Sequence, residues 1–336
     1  MSAIIEAVGL RKVFSTYRRA PGLRGLWKNL FDRDMFDVVA VDHVDLVVQP
    51  GEFLGLIGSN GAGKTTLVKA LTGIIPVSEG KAQLLGRDSF HLRDADKRRL
   101  ALVMGQRSQL WWDLPPMDSF RLLQAIYGVD EADFTARVDG FATMLDVQDK
   151  LGIQLRQLSL GQRMKMELIG AFLHGPEIVF LDEPTIGLDL VSREAIRKFL
   201  VDLNQDDGVT LVLTSHDTED IEETCRRLVI LEEGKVIYDG DLVELSRRVV
   251  GRRAVEVHVE PGAPMDDAAL DALLGAHGAQ LARRTAGTLV ILAPAESTQA
   301  LVRGLFDVAQ VRDISIERQP LEHLIRDVYA GRGDLG

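Results

Sequence analysis

Two early stretches, residues 4–14 and 38–48 ("VVAVDHVDLVV"), are rich in β-branched residues and predict strands. The turn "QPGEF" leads from the second into a third strand, "FLGLIG". Farther on, "EIVFLD" and "VTLVLTS" are short apolar runs, and the intervening "SREAIRKFLVDLNQ" repeats its apolar residues at helical spacing. Strand, helix and strand in that order predict a parallel sheet with crossover helices. Residues 92–174 read as helix-rich through "LRDADKRRLALV", "MDSFRLLQAIYG", "DEADFTARVDGFATMLDV" and "QLSLGQRMKMEL". Within the first of these, "LALVM" also reads as a strand. "RLVILEEGKVIYDG" predicts a closing hairpin around Glu233-Gly234, which ends a first domain near residue 245.

Residues 246–336 follow a different plan. "AVEVHVE", a helix from Asp266, the hairpin "AQLARR" and "LVILAP", a helix from Ser297, "VRDISIE" and a helix from Leu321 spell β-α-β-β-α-β-α. That order fits a small split βαβ sandwich. A second departure lies between the first two strands, over about residues 17–37. From Arg18 to Lys28 it carries four basic residues and no acid, and Leu23, Leu26, Trp27, Leu30 and Phe31 are spaced for one helical face. It reads either as a surface hairpin packing its own staple or as a basic amphipathic element beside a membrane or partner.

The length of 336 residues accommodates two domains, and 46% hydrophobic with 26% charged residues is ordinary globular composition. A formal net charge of −11 disfavours a nucleic-acid backbone, and no nucleic-acid partner is expected. Cys225 stands alone, so no intrachain disulfide forms and a reducing compartment is expected; its simplest reading is a small apolar filler on a helix. The N-terminus carries Glu6, Arg11 and Lys12 without an apolar run, unlike a signal peptide, and nowhere do 18 apolar residues run together.

The chemistry begins at "GSNGAGKTT", which satisfies G-x-x-x-x-G-K-[ST] from Gly58 to Thr65 between a strand and a helix. Ser59, Asn60, Gly61, Ala62 and Gly63 form the loop. Its glycines let backbone N–H groups curl around phosphate oxygens, and the helix start adds partial positive charge. Lys64 is placed to reach the β- and γ-phosphates, the Thr65 hydroxyl to help hold Mg²⁺, and Thr66 follows in the same turn.

"IVFLDEP" delivers Asp182 at the C-terminal end of a buried strand, where ligands gather in open α/β sheets. Asp182 is expected to take Mg²⁺ through water, and Glu183 to polarise an attacking water. "LTSHD" puts His216 at the same edge, with a structural histidine as the alternative. Gln106, in "VMGQRSQLWWDLPP", follows the strand "LALVM" in the same way.

Ser159-x-x-Gln162 fits a capping box, which satisfies a helix start without any ligand. Gly161 is a costly residue for a first helical turn, and it lets a phosphate approach the backbone. Because one P-loop already wraps its own nucleotide, this helix start is expected to face a nucleotide held by another copy.

Taken in order, the P-loop at 58, Gln106, "LSLGQ" at 158, "FLDEP" at 180, "GLD" at 187 and His216 resemble the ATPase subunit of ATP-binding cassette (ABC) transporters, over roughly residues 3–245. The resemblance implies an α/β fold: a P-loop ABC ATPase core with a RecA-like sheet and helical subdomain, followed by a regulatory or accessory α+β domain. It implies ATP and Mg²⁺ as cofactors, with Gln106 reaching both, and a nucleotide-bound head-to-tail homodimer. There Ser159 and Gly161 of one copy, with Gln162 beside them, meet the γ-phosphate held by Gly61, Lys64 and Thr65 of the other. Asp189 would carry the loop between the two sites, and His216 would hold the γ-phosphate and water.

Phe14 falls where the family places an aromatic that stacks on adenine; Tyr17 is close by, and a core phenylalanine is the competing reading. Position 160 departs from the usual Leu-Ser-Gly-Gly-Gln by carrying leucine. "LSLGQRM", "QLWWDLP" and "LDEPTIGLD" look most like the drug-exporter branch, whose membrane subunits are separate chains. That likeness places the protein on the cytoplasmic face of a membrane, with Gln106, Trp111 and Trp112 near a permease coupling helix. The alternative for the tryptophans is one in the core and one capping it. An ABC ATPase of DNA repair or translation would need a long coiled coil, zinc-binding cysteines or a second cassette. A GTPase would need Asn-Lys-x-Asp; none of these features is in the sequence.

Overall fold

The computed structural model describes residues 3–17, 35–105, 107–249, 252–260, 265–285, 287–318, 321 and 325. They form two units, Met1–Asp239 and Gly240–Gly336.

In the first unit, β1 (Ile5–Tyr17) and β2 (Met35–Val48) make a long antiparallel hairpin paired from Ile5 with Val48 out to Tyr17 with Met35. The ladder runs farther than the apolar pattern predicted, because pairing continues through polar positions such as Ser15, whose hydroxyl donates to Asp37 at 2.7 Å. Both ends of the expected 17–37 insertion are therefore strand. Its amphipathic stretch, with Leu23, Leu26, Trp27, Leu30 and Phe31, lies outside the described residues, as does Gln106. With β4 (Glu79–Leu84) and β5 (Arg87–Asp88), the hairpin forms a sheet of order β2-β1-β4-β5.

The second sheet is the one that positions the chemistry. Its order is β10-β9-β3-β8-β7-β6, built from β3 (Phe53–Gly58), β6 (Leu100–Met104), β7 (Ile178–Asp182), β8 (Thr210–Thr214), β9 (Arg227–Glu232) and β10 (Lys235–Asp241). β3, β7 and β8 are buried at every position, as strands covered on both faces must be. β3, β6, β7, β8 and β9 pair parallel, so their C-terminal ends share one edge. β9 and β10 are joined at Glu233-Gly234, both at positive φ as a two-residue hairpin turn requires. The helix Lys64–Leu71 is wedged between the two sheets, its Leu67, Val68, Ala70 and Leu71 sharing one core with Ile5, Leu10, Leu54, Phe180 and Val229.

One expectation for residues 92–174 is corrected. Only Asp94–Lys97 of "LRDADKRRLALV" is helical, whereas Leu100–Met104 is strand β6, as the strand reading of "LALVM" has it. Parallel pairing with β7, from Leu100 with Ile178 to Met104 with Asp182, overrides the local helical pattern. The remaining helices are Pro116–Tyr127, Glu131–Met144 and Leu160–Phe172. Phe141, Phe172 and Phe199 meet edge to face at 5.4–6.5 Å, and tie the last two to the helix Leu190–Asp207. Cys225 caps the short helix Thr218–Thr224 and is buried; burial pushes its thiol up to about 12, so it is inert filler.

In the second unit a helix, Leu242–Val249, precedes an antiparallel sheet of order β12-β13-β11-β14. Its strands are β11 (Arg252–Val259), β12 (Gln280–Arg284), β13 (Thr288–Pro294) and β14 (Val311–Arg318). Helices Asp267–Ala276 and Thr298–Val308 pack on it through Leu270, Leu274, Leu301 and Leu305 against Val255, Val257, Leu289 and Ile291. The first and third strands are central, which is the split βαβ arrangement. Of the helix expected from Leu321, only Leu321 and Ile325 are described; both are buried.

Candidate active site

Of the connections that leave the C-terminal edge of the parallel sheet, those after β3, β6, β7 and β8 each carry a side chain expected to do chemistry. After β3 the chain turns through Ser59–Gly63 into the helix Lys64–Leu71. Gly63 takes φ 104°, and a Cβ there would lie 2.2 Å from the Ala40 carbonyl oxygen, so only glycine fits. A Cβ at Gly61 would meet nothing within 4 Å, which leaves its backbone open to a ligand. Lys64 is buried, and its ammonium donates to the carbonyls of Gly58 at 2.7 Å and Ser59 at 3.3 Å. Burial holds its pKa below the ordinary lysine value, against the opposing pull of Glu183 and Asp182.

Asp182 ends β7 with its carboxylate buried and fully engaged. It accepts from Thr65 Oγ1 at 2.9 and 3.2 Å and from Thr214 Oγ1 at 2.7 Å. Thr214, the last residue of β8, also accepts from the Glu183 backbone N–H through its hydroxyl at 3.1 Å and its carbonyl at 3.0 Å. One threonine thus fixes both acidic residues. Glu183 sits at φ 54°, a left-handed conformation that costs a non-glycine residue about 1–3 kcal/mol and that is found where a site demands it. Gly105 faces it: a Cβ there would lie 2.1 Å from the Glu183 carbonyl oxygen. Beyond β8, His216 Nδ1 stands 3.6 Å from Glu183 Oε2 with its ring half exposed.

Of these groups, Thr65, Asp182, Glu183, His216 and Gly105 open onto a cleft of about 500 Å³ whose wall is completed by Asn60, Lys69, Met104, Arg107 and Ile186; Lys64 does not line it. Lys69, Thr214 and Gly105 were not singled out in the sequence. Lys69 lies one helical turn beyond Thr65, a spacing that shares a face and offered a signal. A hydroxyl and a carboxylate within hydrogen-bond reach form a hard oxygen donor set that suits Mg²⁺. The open loop backbone beside Lys64 suits a triphosphate.

Ser159, Gly161, Gln162 and Asp189 do not line this cleft. Ser159 caps the helix Leu160–Phe172 in a complete capping box, accepting from Gln162 N at 3.2 Å while Gln162 Oε1 accepts from Ser159 N at 3.0 Å. Gly161 is buried, and a Cβ there would lie 2.3 Å from Ser192 Oγ. Its lack of a side chain is thus already required within the chain, a packing reason absent from the sequence reading. Asp189 caps the next helix, accepting from Ser192 N at 2.9 Å and Ser192 Oγ at 2.8 Å. Those bonds, the backbone one foremost, hold its carboxyl below the ordinary aspartate value.

Phe14 is 41% exposed, with Lys12 Nζ 5.0 Å from its ring, which excludes a core role. Trp111 and Trp112 are 43% and 48% exposed, so neither is core; the Arg163 guanidinium lies 4.5 Å from the Trp112 ring.

A family model described as ABC transporter matches residues 41–186. The chain is 29% identical over 208 residues to the ABC transporter ATP-binding protein NatA of Bacillus subtilis, covering 62% of this chain and 84% of that one. It is 32% identical over 231 residues to the Nod factor export ATP-binding protein I of Cupriavidus metallidurans, covering 69% and 76%. It is 30% identical over 230 residues to the methionine import ATP-binding protein MetN of Geobacillus kaustophilus, covering 67% of each. In fold it is similar to the dimeric ATP-binding cassette MJ0796 bound to ADP and Pi, with a TM-score of 0.59 at 23% identity over 71% of this chain and 98% of that one.

Proposed function

The chain belongs to the ATP-binding subunits of ABC transporters, whose activity is ATP hydrolysis coupled to transport, and we propose that two copies close head to tail around two ATP molecules to drive an exporter. The convergence of Thr65, Asp182, Glu183 and His216 on one cleft, with Lys64 near enough to Asp182 and Glu183 for their charges to act on it, carries this reading.

In it, the backbone of Ser59–Gly63 and the Lys64 ammonium bind the phosphates, and Thr66 and Gln106 complete the pocket. Thr65, Asp182 and Gln106 would hold Mg²⁺, which when bound would offset phosphate charge. Phe14, open on its strand, stacks on adenine. Glu183 takes a proton from water as that water's oxygen bonds to the γ-phosphorus; the bond to the bridging oxygen breaks and ADP leaves. His216 orients the water and the γ-phosphate. Ser159, Gly161 and Gln162 reach the nucleotide of the opposite copy, and Asp189 lies between the two sites. Their position outside the P-loop cleft of their own chain supports that arrangement.

Export is supported by "QLWWDLP" and "LDEPTIGLD" and by the Nod factor relative's name, whereas the methionine relative is named for import. Among the described residues no helix is long and apolar enough to cross a membrane. In this reading, which rests on the family, the chain is peripheral, held at the cytoplasmic face by separate permease chains.

Glu183→Gln is expected to bind ATP, lose about 10²- to 10⁴-fold in turnover and accumulate as a dimer on a sizing column. Lys64→Ala is expected to lose nucleotide binding by equilibrium titration. Parental turnover in the first or unchanged affinity in the second would overturn the assignments.

A further inference from the structure

Behind the cleft lies a buried polar cluster that no step above uses. Asp220, on the helix Thr218–Thr224, is fully buried, and Arg197, Thr185 and Ser215 around it are exposed by only 4%, 6% and 2%. One oxygen of its carboxylate accepts from Arg197 Nε at 2.6 Å. The other accepts from Thr185 Oγ1 and from Ser215 Oγ at 3.1 Å. Thr185 lies two residues after Glu183, and Ser215 immediately precedes His216. The same Ser215 hydroxyl accepts from Asp217 N at 3.0 Å, so the backbone on both sides of His216 is fastened to it.

The helix Leu190–Asp207 braces this cluster at two points one turn apart. Arg193 pairs with Asp217 at 2.6 Å, and Arg197 reaches Glu219 and Glu223 at 3.2 and 2.8 Å besides Asp220. Both arginines are on the helix that Asp189 caps.

We propose that Asp220 is a positioning residue for hydrolysis: by bridging Thr185 and Ser215 in the interior, it sets the placement of Glu183 relative to His216. The proposal rests on the roles given to those two residues above. Its physical basis is the burial of every member of the cluster. A buried carboxylate with all its donors engaged resists displacement, because moving either loop would strand a charge or a hydroxyl without a partner. The Glu183–His216 separation of 3.6 Å is thereby tied to a rigid helix instead of two surface loops. Misplacement of a reacting group by about 1 Å costs about 10²-fold in rate.

The test is steady-state hydrolysis with full-length Thr185→Val, Ser215→Ala and Asp220→Asn, alongside Glu183→Gln, with nucleotide affinity and melting temperature measured on each. We expect kcat to fall about tenfold or more in the first three, with KM and nucleotide affinity within about twofold of the parent. Thr185→Ser, which keeps the hydroxyl, should restore kcat. The two hydroxyl variants leave the Asp220–Arg197 pair in place, so they decide the matter if Asp220→Asn does not fold. Parental kcat in both, with Glu183→Gln stalled, overturns the positioning role alone. Parental kcat in Glu183→Gln overturns the underlying assignment and the proposal with it. A fall in kcat matched by equal losses of affinity and melting temperature marks the cluster as merely structural and also overturns it.

Discussion

Gly161 shows how one residue answers to two demands. From sequence, a glycine in a first helical turn reads as access for an anion; in the fold its missing Cβ makes room for Ser192, whose hydroxyl is bonded to Asp189. Gly161→Ala is expected to destabilise the protein by about 1–3 kcal/mol through overpacking, although alanine is the better helix former. In urea denaturation, Gly161→Ala combined with Ser192→Gly should cost less than the sum of the two single changes. Simple additivity would refute the contact. Phe14, Trp111 and Trp112 teach the complementary point: each had a core and a surface reading, and only the neighbouring elements decide between them.

Between elements, Glu167 does what no local pattern announces. It is buried in the helix Leu160–Phe172 and accepts from Ser108 Oγ, from Gln109 N at 3.0 Å and from Leu110 N at 3.3 Å. The segment after Gln106 is thus pinned to the helix that begins at Ser159. Burial raises the Glu167 pKa above the ordinary glutamate value, although the three donors oppose the shift. In the window from that ordinary value up to the raised one, the folded state holds more protons than the unfolded state. The contribution of Glu167 therefore falls as pH rises through the window and levels off above it. Glu167→Gln lacks that slope. The stability of Glu167→Gln relative to the parent, from urea titrations, should rise with pH across the window; a flat or falling difference would contradict the shift.

At the scale of the whole molecule, the parallel sheet edge gathers Thr65, Asp182, Glu183 and His216 around one cleft, while the capped helix start at Ser159 stays outside it. A second copy and a permease are the proposed completions. The exposed pair Trp111 and Trp112, on the segment that Glu167 pins, is the surface proposed to meet the permease. Changing both to alanine is expected to reduce recovery of the chain with its membrane subunits in pull-down while leaving ATP affinity unchanged. Undiminished recovery would remove that surface from the docking site.

By itself the sequence determined most of the parallel strands and their crossover helices, the P-loop, the acidic end of β7 and the capping box. Each is written in residues within a turn or a strand of one another, where spacing and backbone preference act directly. Tertiary structure decided the rest: that Leu100–Met104 pairs as a strand, that Thr65 meets Asp182 across 117 residues, that Thr214 fixes both acids, and that Asp220 joins two loops. Those bonds unite groups with no local reason to meet, and they form because the fold brings distant loops together and buries the polar atoms of the Asp220 cluster with no partner but one another.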